Sequence, residues 1–238
     1  MKLIADIFRK KENKFDHIIS LGYNCETSFK ALKYFRFEEA GLFNWSYSHS
    51  INELINALNN FDSICTGGFE YPNPLWECKN THIRFHGKAN IQLYMEQPVS
   101  EEIIESDRKE LVERMAYLKE KFLNFIRNDS SKLFVYKIRD NEITDASTNA
   151  LLNALINLGA QNFKLLFVYQ TSCGNVTNDS DIMLFRSVDY FAPDDDVTNK
   201  KYRHNGWNRI YDEFGVIEPK GLIKKKKYKF DYESHIEV

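Results

Sequence analysis

His17-Ile18-Ile19-Ser20-Leu21-Gly22 is a short apolar run closed by glycine, and Tyr23-Asn24-Cys25 follows it directly. Beyond the turn, Phe29, Leu32 and Phe35 recur at three-residue spacing. An apolar run of this length reads as a buried strand, and the later spacing reads as one face of a helix. The stretch therefore predicts a strand, a sharp turn and a helix, with Cys25 near the helix's first turn.

The same rhythm returns downstream. Leu133-Phe134-Val135-Tyr136 reads as a strand, residues 145–158 as a helix stopped by Gly159, and Phe163 to Tyr169 as another strand. Ile182 to Arg186 reads as a further strand and Asn205 to Phe214 as a helix. Strands alternating with helices predict an α/β fold, a mostly parallel sheet flanked by helices. Ile18, Ile19, Leu133, Val135, Leu165 and Phe167 are expected in adjacent strands of one sheet.

Between these halves lie two further helices. Ser50-Ile51-Asn52-Glu53 has the form of a capping box, with Ile51, Leu54, Ile55 and Leu58 as the apolar stripe behind it. Glu101 to Arg127 is a long amphipathic helix whose stripe is Leu111, Met115, Leu118, Phe122 and Ile126. Residues 62–80 hold Gly67-Gly68, Pro72 and Pro74 and read as mostly loop. Thr81 to Leu93 alternates enough for one or two short strands around Gly87. The whole chain, 1–238, reads as a single domain with a lead-in at 1–14 and a basic segment at 222–238.

Composition narrows the function classes. The 238 residues are 43% hydrophobic and 28% charged, a globular balance that excludes wholesale disorder. No apolar run approaches ~18 residues, so no transmembrane helix is expected. The segment Met1 to Lys14 is too charged for a secretory signal. A net charge of −2 argues against a nucleic-acid partner. The cysteines, Cys25, Cys65, Cys78 and Cys173, are spread along the chain, and reduced thiols in a cytoplasm are expected. No P-loop or G-x-G-x-x-G motif is present, and no cofactor is implied. Nothing in the sequence fixes the oligomeric state.

Cys25 carries the most chemical information. A residue that follows a strand and opens a helix sits at the carboxyl end of the sheet, where open α/β folds bind ligands. The helix dipole there favours thiolate, the nucleophilic form, and nearby N–H groups can hold an oxyanion. The competing reading is a packed structural cysteine, since free cysteines are among the most buried residues. A thiolate nucleophile also needs a base. His86 ends an apolar stretch at a glycine turn, and His82 would share its face in a regular strand. His204 precedes the last helix, whereas His17 and His235 are poorly placed.

Other clusters are weaker. Cys65, Cys78, His82 and His86 are soft enough for a tetrahedral zinc set but lack a tight C-x-x-C pair, so no metal is expected there. Asp194 and Asp196 form a D-x-D that reads first as a solvated acidic loop. Lys224–Lys227 read as an edge-strand guard or as a peripheral contact with an anionic surface. Trp45, Trp76 and Trp207 either line a sugar cleft or anchor loops.

Ile19-Ser20-Leu21-Gly22-Tyr23-Asn24-Cys25, followed by Leu42-Phe43-Asn44-Trp45, resembles a bacterial family of unknown function described as papain-like cysteine peptidases. Members look like "SLG-x-x-C", then "PFDW", then a histidine on an aromatic strand and a "LFVR"-like strand. Phe85-His86 and Leu133-Phe134-Val135-Tyr136 stand at the corresponding places, over most of residues 17–170. The resemblance implies Cys25 as nucleophile and His86 as base, and an association with surface-polysaccharide genes. Leu42 and Asn44 replace the pattern's Pro and Asp, and Gly87 follows the histidine. Asn44 is still able to orient an imidazole, as in a Cys–His–Asn arrangement.

The strand-then-cysteine order does not match a literal papain fold. The expected architecture is Rossmann-like or SGNH-like, in three layers, with a thiol where SGNH-like hydrolases place a serine and His204 as a rival base. One reading is a cysteine-dependent hydrolase or acyltransferase acting on a small-molecule or glycan substrate in surface-glycan metabolism. In it, Asn24, Tyr23, Trp45 and backbone N–H groups bind the oxyanion or substrate. The alternatives are a glycosyltransferase-like or glycan-binding protein, or a non-catalytic scaffold, with Cys25 structural.

Overall fold

Two short strands, β1 (Lys14–Phe15) and β2 (His17–Ser20), open the part of the chain that can be described. A computed structural model describes residues 14–35, 41–71, 75–87, 99–139, 142, 144–173, 179–193 and 205–216. The turn after β2 leads into helix α1 (Glu26–Phe35), as its spacing predicts. Then come β3 (Ser46–Tyr47), α2 (Ile51–Asn59), β4 (Phe69–Glu70), β5 (Trp76–Cys78), β6 (Arg84–Phe85) and α3 (Glu101–Arg127). The chain continues through β7 (Lys132–Lys137), α4 (Asp145–Asn157), β8 (Phe163–Gln170), β9 (Met183–Val188), α5 (Trp207–Glu213) and β10 (Gly215–Val216).

The expected parallel sheet is present, in the order β2-β7-β8-β9. Ile18 pairs in register with Leu133 and Ile19 with Phe134, while Phe134 pairs with Leu165 and Tyr136 with Phe167. Side chains alternate between its faces, as a period of two requires. Ile19, Phe134, Tyr136, Leu165, Phe167 and Phe185 join a core with the apolar stripes of α2, α3 and α4. Leu133, Val135, Leu166, Val168, Leu184 and Val188 face Trp207, Ile210 and Tyr211 of α5, with Ala31 and Tyr34 of α1 beside them. Covering on both faces explains why every residue of β7 is buried and why its apolar run shows no alternation.

The 62–80 segment departs from its loop reading. It carries β4 and β5, which with β6 and β3 make a separate antiparallel sheet in the order β3-β6-β5-β4. Its strands span only two or three residues, too few for a periodic pattern to show. They are held by buried Phe69, Trp76, Cys78 and Phe85, which join the same core as β2 and β7. The Trp76 indole donates to a buried Asp107 carboxylate oxygen at 2.8 Å, tying this sheet to α3.

Helix ends follow their sequence signals with one variation. Ser50 Oγ accepts the Glu53 N–H, yet the Glu53 carboxylate takes the N–H of His49, not of Ser50. Thr144 and Ser147 make the reciprocal capping box at α4. Gly159 follows that helix at φ +96. Among the described residues, no helix is long and apolar enough to cross a membrane. Lys224–Lys227, Asp194–Asp196, His204, His235, the lead-in before Lys14 and the expected strand at Ile91–Leu93 lie outside the described residues.

Candidate active site

The chain leaves β2 through two residues of left-handed backbone, Gly22 at φ +92 and Tyr23 at φ +74. Glycine suits this twice, because a Cβ at position 22 would stand 2.7 Å from Ser46 Oγ. A tyrosine in this region carries backbone strain, which persists only where surroundings fix it. Here they do: Tyr23 is buried, its C=O accepts Ser48 N–H at 3.1 Å, and its hydroxyl accepts the Arg139 Nε–H. Its ring packs under two cations, Lys137 Nζ 4.9 Å and the Arg139 guanidinium 4.4 Å from the centroid.

This turn delivers Cys25 to the carboxyl end of β2, one residue before α1, with its side chain partly exposed. The buried Asn24 closes the helix start, its Oδ1 accepting the Glu26 N–H at 3.0 Å. The N–H groups of Thr27 and Ser28 lie in the same first turn, ahead of the Phe29 N–H to Cys25 C=O bond at 3.0 Å. First-turn amides of this kind are the donors an oxyanion uses.

Asn44 and Trp45 lie against this first turn. Ser28 Oγ donates to the Asn44 C=O at 2.8 Å, and the Trp45 ring meets Phe29 edge-on at 4.9 Å. His86 then adjoins the same segment, its N–H donating to the Trp45 C=O at 3.4 Å, just past the β3–β6 pairing. The His86 backbone is thus linked to the first turn of α1 through the backbone of Asn44 and Trp45. Burial, with the nearby Arg114 guanidinium, holds the His86 imidazole below its ordinary pKa, so its neutral, proton-accepting form is favoured. Arg114 also donates to the His86 C=O at 2.6 Å.

His82 does not share a strand face with His86. Its φ is +60, its backbone lies outside β6, and its exposed imidazole is held 2.8 Å from Glu77. Of the zinc-type set, the Cys65 N–H donates to Cys78 Sγ at 3.1 Å and the His82 N–H donates to the Cys78 C=O at 2.8 Å. Among the described residues no three His, Cys, Asp or Glu side chains gather in a metal-binding group. Trp76 and Trp207 are fully buried and anchor the core.

A buried polar network beside Cys25 was not read from the sequence. Glu26 is fully buried and takes the Lys137 ammonium on Oε2 at 2.9 Å. Its Oε1 accepts Ala192 N–H at 3.2 Å, Asn205 Nδ2 at 3.0 Å and Trp207 Nε1 at 3.1 Å. Lys137 lies between the Tyr23 and Phe191 rings, the latter 4.5 Å away. Lys30, one turn along α1, reaches Asn205 Oδ1 at 3.2 Å, and burial lowers its pKa. The available signal was the pair Lys137 and Arg139, charged residues that close an otherwise apolar strand run.

These contacts place Lys30, Lys137 and Arg139 around Glu26, Asn205 and Tyr23, the immediate neighbours of the Cys25 turn. Compared with protein-family models, with characterised proteins and with solved structures, the chain has no match.

Proposed function

We propose that this protein is a cysteine-dependent hydrolase or acyltransferase, with Cys25 as nucleophile and a glycan or small-molecule ester or amide as substrate. The observation that carries this reading is the position of Cys25, partly exposed between the carboxyl end of β2 and the first turn of α1. The finer architecture is SGNH-like, with a thiol at the serine position. Helices on both faces of the parallel sheet support that reading.

The chemistry follows from the positions. The Cys25 thiol gives its proton to an imidazole, and the resulting thiolate attacks the acyl carbonyl. First-turn N–H groups hold the oxyanion. The imidazolium then protonates the leaving alcohol or amine, leaving a thioester. Water, or an acceptor hydroxyl, attacks that thioester with the imidazole as base and frees the thiol. His86 is the first choice as base, with Asn44 as its orienter. His204 is its rival, since it precedes Asn205, whose amide holds Glu26 next to Cys25. Tyr23 and Asn24 fix the turn, and Trp45 borders the substrate. A cytoplasmic place in surface-glycan assembly fits the family resemblance, with Lys224–Lys227 as a contact to anionic surfaces.

The test is alkylation of Cys25 by iodoacetamide across pH, followed by peptide mass mapping. A thiol that reacts well below pH ~8.5 is expected, together with loss of thioester formation from activated acyl esters in Cys25→Ser. His86→Ala and His204→Ala, compared side by side, identify the base. A Cys25 that stays inert up to that pH defeats the proposal.

A further inference from the structure

Away from Cys25, two other thiols stand together. Cys65 lies in the turn after α2, partly exposed, at φ +66, and its N–H donates to Cys78 Sγ at 3.1 Å. Cys78 ends β5 and is fully buried. The turn between them is closed by backbone bonds, Gly68 N–H to Cys65 C=O at 3.3 Å and Lys79 N–H to Gly68 C=O at 3.2 Å. Cys65 is therefore held against the Cys78 sulfur by a folded turn. Their ionisation is split: the Cys65 thiol donates to the Cys78 sulfur, which lowers Cys78 to about 5 with further help from the Cys65 and Asn80 N–H groups. Cys65 is correspondingly pushed far up. A thiolate next to a protonated thiol is the arrangement in which one sulfur attacks an oxidant and the other resolves the product.

We propose that Cys65 and Cys78 are a redox site which a hydroperoxide closes to a disulfide. The Cys78 thiolate attacks a peroxide oxygen, forming an S–O bond and breaking the O–O bond, and hydroxide leaves. Cys65 then attacks the sulfenic sulfur; the S–S bond forms, the S–O bond breaks, and the departing oxygen leaves as water with the Cys65 proton. The two sulfurs lose two electrons in all, and the peroxide is reduced to two waters. Cys78 is buried and Cys65 partly exposed, so the site favours a small peroxide as oxidant. The disulfide would brace β5, which pairs with β6 through Trp76 and Phe85 and so supports the strand that leads into His86.

The experiment treats the folded full chain with hydrogen peroxide, blocks remaining thiols after denaturation, and maps peptides without reduction. A Cys65–Cys78 linked peptide is expected in the natural chain and equally in Cys25→Ser, which separates this site from the proposed nucleophile. In Cys65→Ser, a dimedone adduct on Cys78 is expected in place of the link. Recovery of Cys65 and Cys78 as blocked thiols at peroxide levels that oxidise free cysteine would overturn the proposal. Linkage of either residue to Cys25 or Cys173 would overturn it as well.

Discussion

The Lys137 ammonium donates to Glu26 Oε2 at 2.9 Å, with side-chain exposures of only 3% and 0%, one residue beyond Cys25. This pair joins the end of β7 to the start of α1. Through Oε1 the same carboxylate holds Ala192, Asn205 and Trp207, so two later segments of the chain are gathered at the candidate nucleophile. Two charges taken out of water are tolerated only when geometry and extra hydrogen bonds compensate, and both conditions are met here.

Removing one partner leaves the other charge buried. Lys137→Met is expected to lower unfolding free energy by about 3–5 kcal/mol, measured by urea denaturation at neutral pH. Adding Glu26→Gln to that variant should recover part of the loss, because the stranded charge is gone. A loss below about 0.5 kcal/mol in Lys137→Met would show that the pair contributes little.

Gly22 is constrained by conformation and by space. Gly22→Ala is expected to destabilise by about 1–3 kcal/mol, since alanine disfavours left-handed backbone, and because its Cβ would meet Ser46 Oγ. Combining it with Ser46→Ala relieves the contact but not the backbone strain. The double variant should therefore lie between Gly22→Ala and the natural chain in thermal melts. Equal melting temperatures for the single and double variants would mean that strain alone sets the cost.

His86 makes stability depend on pH. Burial and Arg114 depress its pKa, so the folded state binds a proton less readily than the unfolded state. Its contribution is fully present above the ordinary histidine value of ~6.5 and declines as pH falls below it. His86→Gln should flatten the fall in stability between neutral and mildly acidic pH. Identical slopes for the variant and the natural chain would contradict the assignment.

Asp16 acts in a lower window. Its carboxylate accepts the Ser131 N–H at 2.7 Å and the Ser131 hydroxyl at 2.8 Å, and these bonds hold its carboxyl below the usual range. Stability from this group is complete above the ordinary aspartate value of ~3.9 and is lost as pH drops through the lower folded value. Asp16→Asn should be less stable at neutral pH and lose less on acidification. Denaturation curves at pH 7 and in the acid range check both parts.

Helix α3 occupies Glu101–Arg127, the span expected for the helix that carries the Leu111–Ile126 stripe, and β2, β7 and β8 pair as their apolar runs predict. The strand–turn–helix placement of Cys25 was also legible, because a glycine stop and a helical stripe are both local signals. Of the antiparallel sheet, β6 falls within the alternation expected over Thr81 to Leu93, whereas β3, β4 and β5, of two or three residues, carry no measurable period.

By itself, then, the sequence determined the strands and helices long enough to show a period, and the position of the thiol between them. Only the tertiary structure decided that Glu26, in the first turn of a helix where a solvated carboxylate would be ordinary, is fully buried. Its partners lie 111 residues away at Lys137 and 179 away at Asn205. Periodicity records which face of an element avoids water, but not which other face it meets. A buried charge is stable only beside a partner the fold brings from far along the chain, so the network around Cys25 appears only once that chain is folded.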